Sequence, residues 1–515
     1  MDIFSKKCTL IMARIQRVEL KRFDGGHSDD VRTPSNNQYE RVLNFDVFSN
    51  PSKLTPYRKK ENDMTVNGTS STMTEFHVKH FLNNGTSLIG LGIVDSGLGG
   101  RLRVLEKTSL PAGDWALSGT GTQTDAGTAY QTSGLIYKDY IYALRTSANN
   151  NKGRLFKYGA LSTGVRVMDL RFGTDPFNID DTTLSRTGRS SVGIDDRAYF
   201  PYENKLGSTD GSTVTDADIS VPTDYNIKST TAWRKFMAMG CTKTDNTNSR
   251  IYLWDYVSDD VSEVIDLGAG KLIAFGNVDD TLVAVMDSSL ASLVLKPVVR
   301  VKIWSGGMVR TIKELPLFDA DGNTYRANEG EEVESGKLFF TIYDSTGTDL
   351  AGIYVVTKNK RGRWAVAIDQ AINNTATVAS FSAMKKMSDY WWVSHGANGT
   401  IDRTDNGANY TNSDVVMQKF GDPHKVHTLL AVGVSHVALG SGEAVEVQYR
   451  VNENTAWTTI FTSQDDNALS KMATLEVDQA KNFSDFSEAQ IRAISTGGAE
   501  ITGLRAKFVE QDNDL

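Results

Sequence analysis

Apolar positions along this chain alternate in short runs far more often than they recur at helical spacing. Residues 135–146 set Tyr140, Tyr142 and Leu144 on one face with a period of two, the mark of a half-buried strand. A polar stretch from Ser147 to Lys152 leads to a second run at 153–161 and a third at 166–173, the form of a hairpin and its neighbour. Further hairpins lie at 86–107, 234–259, 271–289, 299–315 and 389–405, with a shorter run at 195–204 and three strands in 336–369. Their turns are polar: Thr244 to Ser249, Val278-Asp279-Asp280, Ser305-Gly306-Gly307. Two segments, 379–388 and 483–494, have spacing that predicts a helical turn or two.

Comparable runs begin near residues 88, 135, 191, 235, 271, 336 and 389, at intervals that bracket a four-stranded propeller blade. One repeated unit thus accounts for most of the chain without visible linkers. The reading is all-β: a β-propeller of six to eight blades at 63–410. The alternative is a set of β-sandwiches with the same hairpins, because no regular Gly-His…Trp-Asp signature marks the repeats. The C-terminal part, 411–515, has longer strands, with clean alternation at 445–451 and a last strand at 499–511. It reads as a small jelly-roll or immunoglobulin-like sandwich. Residues 1–62 are polar, with little periodicity, and read as an extended N-terminal arm lying on the propeller or on a neighbouring subunit. Met12 resembles a natural start, so the first eleven residues are given no fold role.

Composition narrows the function. The 515 residues carry 55 Lys+Arg against 63 Asp+Glu, a net charge of -8. That argues against a general nucleic-acid binder. No apolar run approaches the roughly 20 residues that span a bilayer, and no signal-peptide pattern opens the chain. Two cysteines, Cys8 and Cys241, form neither a disulfide framework nor a four-cysteine zinc site.

Candidate chemistry is sparse. His77 and His80, and His424 and His427, stand three apart, which on a strand puts them on opposite faces. Residues 318–325 resemble a calcium loop, with Asp319, Asp321 and Asn323 as weak metal candidates, but the twelfth position is Gly330 rather than glutamate. Arg403 to Tyr410 resembles the structural Asp-box turn of sialidase propellers, with Arg403 in place of the leading serine. Trp391 and Trp392 beside Tyr390 form the densest aromatic cluster; one is expected in the core, the other as a glycan-stacking or interface residue. No phosphate loop, nucleophile elbow or paired-carboxylate motif is present. The residues therefore predict no catalytic residue and no cofactor.

Residues 22–58 resemble the N-terminal segment of propeller-type virion proteins from tailed bacteriophages. Gly25-Gly26 and the acidic Asp29-Asp30 precede Phe45-Asp46-Val47-Phe48, Asn50-Pro51 and Leu54-Thr55-Pro56. Residues 437–460, a Gly-rich turn, an alternating strand and Trp457, are similar to the modules that end such proteins. The resemblance implies a structural, non-enzymatic subunit of the virion tail, as nozzle, tail tip or adaptor. It would be made in the host cytoplasm and assembled into a homo-oligomeric ring with other tail proteins. DNA would only pass through the lumen, and no membrane would be involved. Phe45, Phe48, Pro51, Leu54 and Tyr57 are the interface residues this reading expects. Two alternatives stay open: a propeller glycan hydrolase, and a tail protein that recognises host-surface glycan.

Overall fold

The computed structural model describes residues 15–21, 23, 39–43, 45–46, 50, 52–56, 58–62, 76–94, 101–110, 115–118, 129–147, 152–158, 168–171, 177–178, 189–288, 297–317, 326–334, 336–343, 351–359, 362–371, 381–387, 390–395, 400–409, 412–422, 424–452, 456–464, 469–474 and 486–511. All regular structure among them is strand. The chain divides into two compact units, one of residues 60–357 and 371–406, the other of 1–59, 358–370 and 407–515.

Seven sheets form a β-propeller, most of it in the first unit; the outermost strand of the sixth sheet, Trp364–Ala371, falls mainly among residues grouped with the other unit. The inner strands of the seven sheets are Phe76–Asn83, Ala129–Tyr137, Ser191–Val192, Tyr225–Trp233, Lys271–Val278, Arg326–Glu334 and Phe381–Met387. From each, antiparallel strands follow outward in chain order; six sheets have four strands and the second has five. The last sheet takes its outermost strand, Arg58–Asn62, from before the first blade. Inner strands of most neighbouring sheets pack on one another, the second sheet meets the third through Ala198–Tyr202, and Phe381–Met387 packs back on Phe76–Asn83. Apolar layers fill interfaces between blades. Tyr199, Ile227, Met237, Tyr252 and Trp254 join blades three and four; Trp233, Leu253, Phe275 and Trp304 join four and five.

Both expected helical segments are strands. Phe381–Met387 is an inner strand whose pairing shifts register between Phe381 and Ala383. That bulge puts Ala383, Met384 and Met387 all in the core and so mimics helical spacing. Glu488–Thr496 buries Ala489, Ile491 and Ala493 by alternation. Residues 135–146, read as one strand, are a hairpin turning at Lys138-Asp139, both with positive φ. Residues 403–409, matched to an Asp-box turn, lie inside the strand Thr400–Asn409, and the Trp391 N–H donates to Thr404 Oγ1 at 3.1 Å. Trp391 and Trp392 are both buried, at 3% and 0% exposure, so neither is offered to a ligand. Trp391 meets Phe339 edge-on at 4.8 Å.

The second unit is the sandwich, and the N-terminal segment belongs to it. One sheet runs Ile15–Leu20, Ile501–Gln511, Val426–His436, Ser470–Thr474; the other runs Tyr39–Leu43, Asn412–Met417, Glu488–Thr496, Ala444–Val451, Thr458–Gln464. Residues 1–62 were expected to lie on the propeller or a neighbour. Their first strand pairs instead with the last strand of the chain, from Ile15 opposite Val509 to Leu20 opposite Leu504. Leu20, Phe23, Val42, Phe45 and Leu54 enter the same core as Val432, Val445, Ile491 and Phe508. Leu54 exchanges backbone hydrogen bonds with Ile501, and Lys53 pairs with Glu500 at 2.7 Å. The physical reason is sheet satisfaction: strands at 412–417 and 501–511 leave edges that these segments complete.

His427 is buried in this sandwich between Phe486 and Phe508, its Nε2 accepting the Asp422 N–H at 3.0 Å. Burial lowers its pKa and Lys425 adds to that, against Glu510 and Asp422, which pull it up. Below about pH 6.5 the unfolded chain takes up a proton that the folded one refuses, so stability falls as pH drops. His427→Gln keeps an acceptor without titrating. Its melting temperature is expected to fall less than that of the parent between pH 7 and pH 5, roughly the window below the free imidazole pKa; equal falls would remove His427 from the acid response.

Candidate functional site

Of the residues singled out from sequence, Phe45 and Leu54 are wholly buried in the core of their own sandwich. Phe48, Pro51 and Tyr57, and the metal candidates Asp319, Asp321 and Asn323, lie outside the described residues. The chemistry gathers elsewhere, where blade three meets blade four.

Blade three contributes the loop Gly193 to Arg197 between its first two strands, closed by Gly193 N–H to Arg197 C=O at 2.9 Å. Asp195 on this loop accepts the Tyr199 hydroxyl at 2.6 Å. Arg197 turns inward, donating Nε and Nη2 to Ser208 Oγ at 2.9 and 2.7 Å and Nη2 to Thr215 Oγ1 at 3.0 Å. Asp218, half-buried on the outer strand Val214–Ser220, faces the same group. One of its oxygens is buried without a hydrogen-bond partner among the described residues.

Blade four contributes the aromatic wall. The loop after Trp254 is held by Asp255, whose carboxylate accepts the N–H groups of Val257 and Ser258 at 3.1 and 2.8 Å and the Ser258 hydroxyl at 2.8 Å. Those bonds lower the Asp255 pKa. The loop forces Tyr256 into positive φ, 69°. Tyr199, Trp254 and Tyr256 then form one cluster, with centroids 5.9, 5.8 and 5.5 Å apart. Trp254 Nε1–H donates to Ser258 C=O at 2.6 Å, so the indole is fixed.

Burial raises the Asp218 pKa and the nearby Asp195 adds to it, while Ser208 and Arg197 pull against them. Tyr199 is pushed up by burial and by its bond to Asp195, and burial pushes Tyr256 up to about 12. Both phenols therefore stay neutral donors. An aspartate whose pKa is raised by burial, close to a second aspartate, is an arrangement that general acid chemistry can use. Fixed rings next to carboxylate acceptors suit a sugar, which offers C–H faces and hydroxyl edges.

Sequence reasoning missed these residues. Asp195 and Asp218 lie 23 positions apart (218 − 195) and Tyr256 is farther still; only blade packing brings them together. The available signal was aromatic and acidic enrichment in 195–202 and 254–256. A Cβ on Gly193 would fall 2.5 Å from Asp195 Oδ1, 2.6 Å from Tyr199 Cε2 and 2.7 Å from Tyr256 Cε1. Gly193→Val is therefore expected to displace all three groups, costing about 1–3 kcal/mol and the site's ligand binding. Denaturant unfolding together with a binding titration checks both; unchanged binding would take Gly193 out of the site.

No family model and no curated protein matches the chain. Solved structures do. The hydrazine synthase of Kuenenia stuttgartiensis is 12% identical, with 67% of this chain and 99% of that one covered and a TM-score of 0.44. A Trypanosoma rangeli sialidase mutant displaying trans-sialidase activity is 9% identical, covering 89% and 95%, TM-score 0.37. An exo-β-1,3-galactanase from Phanerochaete chrysosporium is 10% identical, covering 87% and 100%, TM-score 0.28. Likeness at this level is one of fold. It corrects one expectation: a non-enzymatic protein was anticipated, yet the propellers matched include glycoside-acting enzymes, so that expectation is withdrawn.

Proposed function

We propose that this chain binds and cleaves glycans at the edge between blades three and four, as a component of a tailed-phage tail. The observation that carries the glycan reading is the pairing of Asp218, raised by burial, with Asp195 beneath the wall of Tyr199, Trp254 and Tyr256. In this reading Asp218 protonates the leaving oxygen. Asp195 serves as the second carboxylate that glycoside hydrolysis needs. Asp195 in the site is expected to disfavour acidic sugars such as sialosides and to favour neutral ones. The tail setting rests on the resemblance of residues 22–58 and 437–460 to phage virion proteins.

The test is release of reducing ends from a panel of neutral and acidic oligosaccharides by the full chain. Turnover confined to neutral members supports the reading. No turnover and no binding across the panel contradicts it. Binding without turnover keeps recognition and removes Asp218 as an acid.

A further inference from the structure

The sandwich carries an aromatic and polar surface that the blade-edge chemistry does not use. On the strand Ala444–Val451, the side chains of Val445, Val447 and Tyr449 enter the core. Alternation therefore turns Glu446, Gln448 and Arg450 to the other face of the sheet. On the neighbouring strand Glu488–Thr496, Ala489, Ile491 and Ala493 are the core residues. Gln490 and Arg492 face outward, opposite Arg450 and Gln448 in the register. Gln490 is buried, whereas Glu446, Gln448, Arg450 and Arg492 keep part of their surface in solvent. The open part of the face thus lies over Ala444–Val451 and the edge strand Thr458–Gln464, whose Thr459 is exposed.

These side chains hold one another in place. Glu446 accepts the Gln448 Nε2–H at 2.9 Å and the Thr459 hydroxyl. Arg450 Nε donates to Gln490 Oε1 at 2.7 Å, and Arg492 forms an ion pair with Asp414 at 2.7 Å. Trp457 stands just before the edge strand and is half-buried. Its ring centroid is 4.7 Å from the Arg450 guanidinium and 5.7 Å from that of Arg492. Arg492 belongs to the second strand in from the edge, roughly 9–10 Å away at the usual strand spacing. An indole rooted at the edge meets both guanidinia only by lying along the sheet, across Arg450. One ring face then rests on the cations, a favourable contact, and the other faces outward, which fits the partial exposure of Trp457.

The charges on this face balance. Ala444–Val451 carries Glu446 and Arg450, Glu488–Thr496 carries Glu488 and Arg492, and Thr458–Gln464 carries none. An acidic polymer gains no net attraction from such a surface. A neutral sugar does fit it: the C–H face of the ring covers the indole, and its hydroxyls meet carboxylate and amide acceptors as well as guanidinium donors. We propose a second binding site on this outer face of the sandwich, centred on Trp457 with Glu446, Gln448 and Arg450, for a neutral oligosaccharide. It uses no residue of the blade-edge site and does not depend on the activity proposed there.

The test is fluorine NMR of the full chain labelled with fluorotryptophan, titrated with maltohexaose, cellohexaose and mannohexaose and, separately, with a galacturonate hexamer. Trp457→Phe assigns the signal. A saturable shift of the Trp457 signal with a neutral hexasaccharide is expected. Glu446→Gln, read on the same signal, is expected to weaken that binding about tenfold, the usual effect of losing a charged acceptor. The shift is expected to persist in Gly193→Val, so loss of the blade-edge site does not carry this one with it; its disappearance there would place the binding at the blade edge and overturn the proposal. No saturable shift with any neutral hexasaccharide, a shift confined to the galacturonate hexamer, or unaltered affinity in a folded Glu446→Gln variant also overturns it. The parent titration alone decides if Glu446→Gln fails to fold.

Discussion

Phe45→Ala is expected to destabilise the sandwich by about 3–5 kcal/mol. The Phe45 ring is completely buried, in one core with Phe23, Leu54, Val432 and Phe508. It stands beside the strand Tyr39–Leu43, which pairs with Asn412–Met417. Truncation leaves a cavity that pinned strands on both sides cannot collapse around. Removing residues 1–62 goes further. It takes away the strand on Ile501–Gln511, the strand on Asn412–Met417 and five core side chains, Leu20, Phe23, Val42, Phe45 and Leu54. It also removes Arg58–Asn62 from the last blade. The truncated chain is therefore expected to aggregate or lose cooperative unfolding. Denaturant unfolding of Phe45→Ala measures the first effect, and a change below about 1 kcal/mol would mean that the segment is not integral to the sandwich.

Asp218→Asn is expected to lower the rate of glycan cleavage by about 10²–10⁴-fold, the usual contribution of a general acid, with binding retained. The amide keeps the shape of the side chain and cannot give up a proton at any working pH. On the proposed reading Asp218 gives up a proton in cleavage, so activity is expected to decline as pH rises through its raised pKa, and the alkaline limb of the pH profile would report that group. Burial is the main cause of the elevation; an alkaline limb at the ordinary aspartate position would contradict the assignment. Equal rates for Asp218→Asn and parent would remove Asp218 from the chemistry altogether.

The blade repeat was legible in the chain because hairpins announce themselves locally. Val278-Asp279-Asp280 and Ser305-Gly306-Gly307 turn where polar residues interrupt alternating runs, and Asp279, Asp280, Gly306 and Gly307 all take positive φ. Where a bulge shifts the alternation, as before Ala383, the pattern imitates a helix. The N-terminal strands were illegible for another reason. Phe23 and Leu54 are single apolar anchors in polar surroundings, the run around Phe45 is too short for a period to stand out, and the partners lie more than 350 residues away, as Leu54 and Ile501 show. The candidate site is illegible for the same reason at shorter range. Asp195, Asp218 and Tyr256 belong to different strands and loops, and only the packing of blade three on blade four makes them neighbours.

The most direct test of the glycan site is saturation-transfer NMR of neutral oligosaccharides on the parent protein and on Gly193→Val. The account predicts clear transfer to the sugar ring protons in the parent, lost in a folded Gly193→Val variant, because the added side chain enters the space between Asp195, Tyr199 and Tyr256. Equal transfer in both proteins, or none in the parent, would contradict it.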